Sequence, residues 1–361
     1  MSAPPLLVVS DARTEFPTPN GTLTAVDGVS FTLERGVTLG IVGESGSGKS
    51  MLARSILQLT DHRATTSGTV LLDGRDLRAL SPRELRRVRG RSAAMIFQDP
   101  MTALNGTMRI GQQLTEAMRE HLDLSRSQRR AAAIDLLRSV GIPEPERQLR
   151  RYPHQLSGGM RQRAMIAIAL ACGPELLIAD EPTTALDVTM QRQVLDLLDQ
   201  QRAARQMALV LITHDLGVVS GRADHIMVMY AGRVVEQAPA AQVFAAPTHP
   251  YTVGLLRSIP RLTDPPGREL ATIAGSPPIM LAGRAGCAFA ERCPRAQPRC
   301  LTDMPTLRPA PSTHDGAHVH ACWYPHGSAE GDAAARANLA AGRTATGRVL
   351  DPAHEPVEVA P

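Results

Sequence analysis

Hydrophobic positions along this chain fall into short blocks rather than one continuous stripe. Leu6-Leu7-Val8-Val9 is a brief apolar run, and Val29, Phe31 and Leu33 alternate with polar residues. Alternation with a period of two is the mark of a half-buried strand, so the first part of the chain reads as strands. Residues 39–43 form another apolar run, which leads directly into a glycine-rich turn. From Arg83 to about Leu170 the pattern becomes mostly helical, with a clear amphipathic stretch over 131–140. Apolar runs of strand length return at 176–179, 208–212 and 226–230, separated by helical segments such as 189–202. Continuously apolar strands joined by helices predict an α/β fold, a parallel sheet covered on both faces.

The pattern changes near Pro260. Residues 264–278 are rich in proline, and the stretch after them holds four of the five cysteines. Beyond Pro325 the chain is rich in alanine, glycine and charge without strong periodicity. These shifts predict a large first domain over 1–260, a boundary at 260–268, a small cysteine-bearing domain over 261–325, and a disordered tail over 326–361.

Composition narrows the function classes. A hydrophobic share of 43% is ample for a core, whereas 3% aromatic residues argues against stacking platforms for single-stranded nucleic acid. The net charge of +4 comes from dispersed arginines, and the clusters at 83–91 and 147–151 read as solvated helix faces. No nucleic-acid partner is expected. No apolar run approaches the ~18 residues of a membrane span. The start, Met1-Ser2-Ala3-Pro4-Pro5, lacks the positive charge of a signal peptide. The chain is therefore expected in the cytoplasm, with reduced cysteines.

One segment carries a definite chemistry. Gly43-Glu44-Ser45-Gly46-Ser47-Gly48-Lys49-Ser50 fits G-x-x-x-x-G-K-[ST], between a strand and a helix-compatible stretch. Glycines let the backbone wrap round phosphates, so that amide groups and a helix N-terminus face the negative charge. Lys49 is expected to reach the terminal phosphates of ATP and Ser50 to bind Mg²⁺. Downstream, Leu176-Leu177-Ile178-Ala179 ends in Asp180-Glu181. The carboxyl end of a buried parallel strand is where open α/β sheets place ligands. Asp180 would hold Mg²⁺, and Glu181 would orient or deprotonate the attacking water. Taken alone, two acids after a strand could equally cap a helix.

Leu156-Ser157-Gly158-Gly159-Met160, continued by Arg161-Gln162-Arg163, resembles the signature sequence of the ABC ATPases. Gln98, in Ile96-Phe97-Gln98-Asp99-Pro100, resembles the Q-loop of that family; Ala185-Leu186-Asp187 resembles its D-loop, and Thr213-His214-Asp215 its switch histidine. All stand in the family's order, and the resemblance covers about residues 5 to 260. It implies an ABC-type phosphate-loop core with an antiparallel β subdomain and a helical subdomain at about 99–160. It also implies Gln98 as a further Mg²⁺ contact, His214 as a γ-phosphate contact, and Ser157, Gly158, Gly159 and Asp187 completing the ATP pocket of a second subunit. Ser157 could otherwise be a plain helix cap and His214 a core histidine. Phe16 is the candidate for stacking on adenine, with a core phenylalanine as the alternative. Met160 replaces the commoner glutamine, which leaves the Ser-Gly-Gly donors in place.

Several segments resemble the oligopeptide/dipeptide importer branch. They are the phosphate loop, Gln98-Asp99-Pro100-Met101-Thr102-Ala103-Leu104-Asn105, His249-Pro250-Tyr251-Thr252, and the cysteine segments Gly286-Cys287-Ala288-Phe289, Arg292-Cys293-Pro294 and His318-Val319-His320-Ala321-Cys322. Cys287, Cys293, Cys300 and Cys322 could complete a zinc site, an iron–sulfur cluster, or neither. His314, His318 and His320 keep zinc open; the resemblance favours a [4Fe–4S] cluster. Lying after the ATPase motifs, this region is assigned no part in hydrolysis. Cys172, in an alanine-rich apolar helix, reads as a small core residue.

The resemblance implies a peripheral ATPase on the cytoplasmic face of the inner membrane. Glu181, His214 and Gln98 would be its catalytic groups, and it would power peptide import. Its partners would be a second ABC ATPase subunit, two membrane permease subunits and an extracytoplasmic peptide-binding protein. Import of another solute, such as nickel or a glutathione-like compound, stays open, as does a soluble non-transport ABC ATPase. A regulatory, non-hydrolysing subunit is disfavoured by the intact Glu181 and His214.

Overall fold

The structure, a computed structural model, describes residues 4–99, 103–184, 186–260, 272–311 and 316–350. Ala185 of the expected D-loop, residues 100–102, the expected boundary at 261–268, His314 and residues 351–361 lie outside the described residues.

Two sheets organise the chain. The smaller is antiparallel, with strand order β2-β1-β4-β5, from β1 (Leu7–Thr18), β2 (Gly21–Leu33), β4 (Thr65–Leu72) and β5 (Arg75–Asp76). The alternation at Val29, Phe31 and Leu33 puts all three side chains into the core beneath β2. The larger sheet has the order β11-β12-β10-β9-β3-β8-β7-β6. Its parallel part consists of β9 (His225–Tyr230), β3 (Thr38–Val42), β8 (Ala208–Thr213), β7 (Leu176–Asp180) and β6 (Ala93–Ile96). The antiparallel strands β10 (Arg233–Pro239), β12 (Val319–His320) and β11 (Arg308–Pro309) extend it beyond β9.

The continuously apolar strands are needed because both faces of the parallel sheet are buried. Leu176, Ile178, Val210, Ile212, Met227 and Met229 join one core with the antiparallel sheet and the helix Lys49–Ile56. Their alternate neighbours Leu177, Ala179, Leu209, Leu211, Ile226 and Val228 join a second core with the helices Ile110–His121, Arg126–Ser139 and Gly158–Leu170. Period two thus divides each strand between two cores.

Three expectations need correction. The stretch read as helical after Arg83 contains β6, which pairs in parallel with β7. Four residues, Ala93-Ala94-Met95-Ile96, are too few to show a period, so only the pairing reveals the strand. The cysteine-bearing segment was expected as a separate small domain, yet β12 hydrogen-bonds to β10 and continues the main sheet. The buried Glu236 of β10 accepts from Thr248 and His249 backbone N–H groups at 2.7 and 2.8 Å and lies 2.7 Å from His318 Nε2. This network fastens the segment to the core. The tail, expected to be disordered from 326 onward, forms the helix Ala329–Ala340. Ser328 caps it, accepting from Gly331 N at 3.0 Å. Asn338 Nδ2 donates to Pro294 O and Ala296 O at 2.9 and 3.1 Å. Small alanines and polar anchors hold this helix, so it gives little apolar periodicity to read.

Candidate active site

The site gathers at the carboxyl ends of β3, β6, β7 and β8, where four strand-to-loop transitions come together. After β3 the phosphate loop turns tightly and runs into the helix Lys49–Ile56. Gly48 takes φ 98°, and a Cβ there would sit 2.3 Å from Ala25 O. A Cβ at Gly43 would sit 2.2 Å from Met229 O. Only glycine fits at either place, because neighbouring backbone occupies the side-chain position. Lys49 is folded back on the loop, its Nζ donating to Gly43 O at 2.6 Å and Glu44 O at 2.9 Å and lying 3.2 Å from Ser47 Oγ. Burial lowers its pKa. Ser45 and Gly46, at the loop tip, are exposed.

Ser50 Oγ donates to Asp180 Oδ1 at 2.7 Å, joining the loop's helix to the end of β7. The other oxygen, Asp180 Oδ2, is buried without a hydrogen-bond partner, and burial raises the pKa of the group. A buried carboxylate oxygen left without a donor beside a hydroxyl suits a hard divalent cation such as Mg²⁺.

Glu181 follows in a left-handed conformation, φ 46°, which is uncommon for a side chain of this size. Its N–H donates to Ile212 O on β8 at 3.0 Å. The carboxylate becomes a meeting point. Gln98 Nε2 and Thr184 Oγ1 each donate to Glu181 Oε2 at 2.9 Å, and His214 Nδ1 stands 3.4 Å from the same oxygen. The His214 side chain is 57% exposed, which removes the core-histidine alternative. The plain-cap alternative for Asp180 and Glu181 also goes, since both carboxylates face partners brought from other elements. The described bond of the Gln98 side chain is to Glu181, not to the Ser50–Asp180 pair. Thr184 escaped sequence reasoning, although it lies only three residues beyond Glu181.

Ser157, Gly158, Gly159 and Asp187 occupy a different place. Ser157 Oγ accepts from Met160 N at 3.3 Å and caps the helix Gly158–Leu170; Ser157 and Gly158 are exposed. Asp187 caps the helix Val188–Arg205, accepting from Met190 N at 2.9 Å. Val188, next to it, is 83% exposed, an apolar side chain left in the open. Phe16 is half-buried in β1 opposite Leu23 and belongs to neither core, which weakens the core-phenylalanine alternative.

Comparison with known proteins decides the family. The chain matches the ABC transporter family over residues 26–184 and the oligopeptide/dipeptide transporter C-terminal region over residues 235–300. It is 47% identical over 320 residues to the oligopeptide transport ATP-binding protein OppD of Salmonella typhimurium, covering 89% of this chain and 94% of that one. The chain belongs to the oligopeptide/dipeptide branch of the ABC transporter ATP-binding subunits. The dipeptide transport ATP-binding protein DppD of Bacillus subtilis is likewise 47% identical, with 88% and 94% covered. Among solved structures, the dimeric post-hydrolysis state of the ATP-binding cassette MJ0796 bound to ADP and Pi superposes with a TM-score of 0.59 at 26% identity, covering 65% of this chain and 98% of that one. The cbiO1 subunit from Clostridium perfringens gives 0.57 at 28%, covering 68% and 92%. This ABC subunit is accordingly an ATPase, and its α/β architecture is that of the cassette.

The ABC subunit's four C-terminal cysteines gather at a second place. Cys287, Cys293, Cys300 and Cys322 are all free and line one small cavity beside His249 and Trp323. Burial pushes the Cys287 thiol up to about 11 and raises Cys293, Cys300 and Cys322 as well. Four convergent thiols are a donor set of the kind that a thiophilic metal or cluster takes. Among the described residues, however, no group of three or more His, Cys, Asp or Glu stands at metal-holding spacing. His318, a zinc candidate, is committed to Glu236 at 2.7 Å rather than to the thiols. No described helix is long and apolar enough to cross a membrane.

Proposed function

We propose that this subunit hydrolyses ATP to drive import of di- and oligopeptides through membrane permease partners, working from the cytoplasmic face of the membrane. The convergence of Gln98, Thr184 and His214 on the Glu181 carboxylate carries the reading. An acid held by two donors and a histidine, beside a phosphate loop, is set to orient and deprotonate water for in-line attack on a γ-phosphate. Lys49 leaves its backbone acceptors to meet the terminal phosphates. Ser50 and Asp180 hold Mg²⁺, with Gln98 linking that site to Glu181. When bound, the ion neutralises charge on the phosphate oxygens. His214 contacts the γ-phosphate, and Phe16 stacks on adenine.

Ser157, Gly158, Gly159 and Asp187 complete the pocket of a second ATPase subunit. The exposure of Ser157, Gly158 and Asp187 supports this, as does the open apolar side chain of Val188 beside Asp187. The arginine-rich groove lined by Arg109, Arg119, Arg126, Arg129 and Arg130 offers positive charge to a permease loop. The similarity to peptide transport subunits supports peptides as cargo, delivered by an extracytoplasmic binding protein. The four thiols hold a [4Fe–4S] cluster that staples the segment; their shared cavity and free state support it.

Reconstitution with the permease and binding-protein subunits tests the reading. Peptide uptake should require ATP and this chain. Uptake of nickel or of a glutathione-like compound, with none of peptides, would transfer the cargo to those alternatives. Anaerobically purified protein should carry iron and sulfide; zinc alone, or no metal, would remove the cluster.

A further inference from the structure

Glu44 is an anomaly within the phosphate loop. Its carboxylate belongs to a segment built to receive phosphates, where a free negative charge would oppose the ligand. The structure gives it a partner from the far end of the chain. Arg292 donates from Nη1 to Glu44 Oε2 at 2.5 Å and from Nη2 to Oε1 at 2.8 Å, a two-pronged pair. Arg292 is 5% exposed and lies on the turn between Cys287 and Cys293. Its Nε also donates to Ala274 O at 2.9 Å and its Nη1 to Tyr230 Oη at 3.3 Å. The Glu44 main chain is engaged too: its N–H donates to Tyr251 Oη at 2.7 Å, and its carbonyl accepts from Lys49 Nζ at 2.9 Å.

We propose that Arg292 is a positioning residue of the ATP site, which neutralises and holds Glu44 so that Lys49 is free for the phosphates. The inference rests on the ATP-site reading above and makes the cysteine-bearing segment part of the apparatus that binds nucleotide. A guanidinium stays charged and matches a carboxylate with two parallel bonds, so it removes the acid as a competitor for Lys49. Without Arg292 the carboxylate swings free next to the phosphate-binding amides. It then repels the ligand and competes for the lysine. Tyr251 keeps the backbone at Glu44 in place, which separates the charge effect from loop collapse.

The test is calorimetric titration of the full-length chain with MgATP, alongside thermal unfolding. Arg292→Gln should weaken binding roughly tenfold, within the range for residues sharing one charged network. The double variant Glu44→Gln with Arg292→Gln should recover affinity to within about twofold of the parent, because no free carboxylate then faces the phosphates. Arg292→Lys, which keeps the charge but not the fork, should lie between. It decides the matter if the glutamine variant fails to fold. Unchanged affinity in Arg292→Gln, or a double variant no better than that single one, overturns the proposal. A merely structural role would give additive losses in the double variant. Failure of the ATP site itself would look different: the parent chain would not bind MgATP, or Lys49→Ala would bind as well as the parent.

Discussion

The phosphate site and the cysteine-bearing segment are built on opposite plans. At the phosphate site, contiguous residues do the work: eight successive positions form the loop, and Asp180 and Glu181 follow directly on a strand. The geometry comes from backbone, with glycines admitting close approach and strand ends aiming the side chains. Among the described residues of 272–350 the organising contacts are between side chains far apart in sequence. Glu236 reaches His318 across 82 positions, and Arg292 reaches Glu44 across 248. The first plan leaves a motif; the second leaves only isolated polar residues in an apolar setting. Even so, the two regions are not independent, because Arg292 joins them.

Substitutions can pull the two plans apart. Among the substitutions that separate the two regions, the largest effect belongs to Lys49→Ala, which should lower ATP turnover by roughly 10²–10³-fold by removing a preorganised phosphate contact. Hydrogen exchange in residues 316–340 should be unaffected, and a general loss of protection there would break the distinction. Glu236→Ala strikes the other region. It leaves the N–H and hydroxyl of Thr248, the N–H of His249 and the His318 ring without their acceptor, so a loss of about 3–5 kcal/mol in denaturant unfolding is expected. Protection should be lost first around β12. Full stability would mean that the buried network does not hold the segment.

Smaller effects sharpen the comparison. Arg292→Gln is expected to cross from one region to the other, lowering MgATP affinity roughly tenfold although it lies outside every ATPase motif. Ser328→Ala should cost about 1 kcal/mol by uncapping the helix Ala329–Ala340. Its effect should stay local, seen as faster exchange in that helix with ATP turnover unchanged. A fall in turnover would show that the C-terminal helix also bears on the phosphate site.

These contrasts explain what was legible in the sequence. Most of the parallel sheet could be read because its longer strands must be apolar on both faces. The phosphate loop and Asp180-Glu181 could be read because their chemistry depends on spacing along the chain, whereas His214 stood out only through the resemblance of Thr213-His214-Asp215 to the family's switch histidine. β6 could not, since four apolar residues show no period until β7 pairs with them. The C-terminal helix could not either, because alanines and Asn338 hold it rather than an apolar stripe. Arg292 stood in plain view within Arg292-Cys293-Pro294. Nothing local to it indicates that its partner is the second residue of the phosphate loop, so the sequence assigns the segment no part in hydrolysis.

The most direct test of the account is Glu181→Gln in the assembled transporter, with ATP binding and steady turnover measured on the same preparation. The amide is nearly isosteric with the carboxylate and leaves Ser50, Asp180 and Lys49 in place, but it cannot take a proton from water. Turnover should fall by roughly 10²–10⁴-fold while MgATP affinity stays within about twofold of the parent. Near-normal turnover in that variant would contradict the assignment of Glu181 as the group that activates water, and with it the reading of this site.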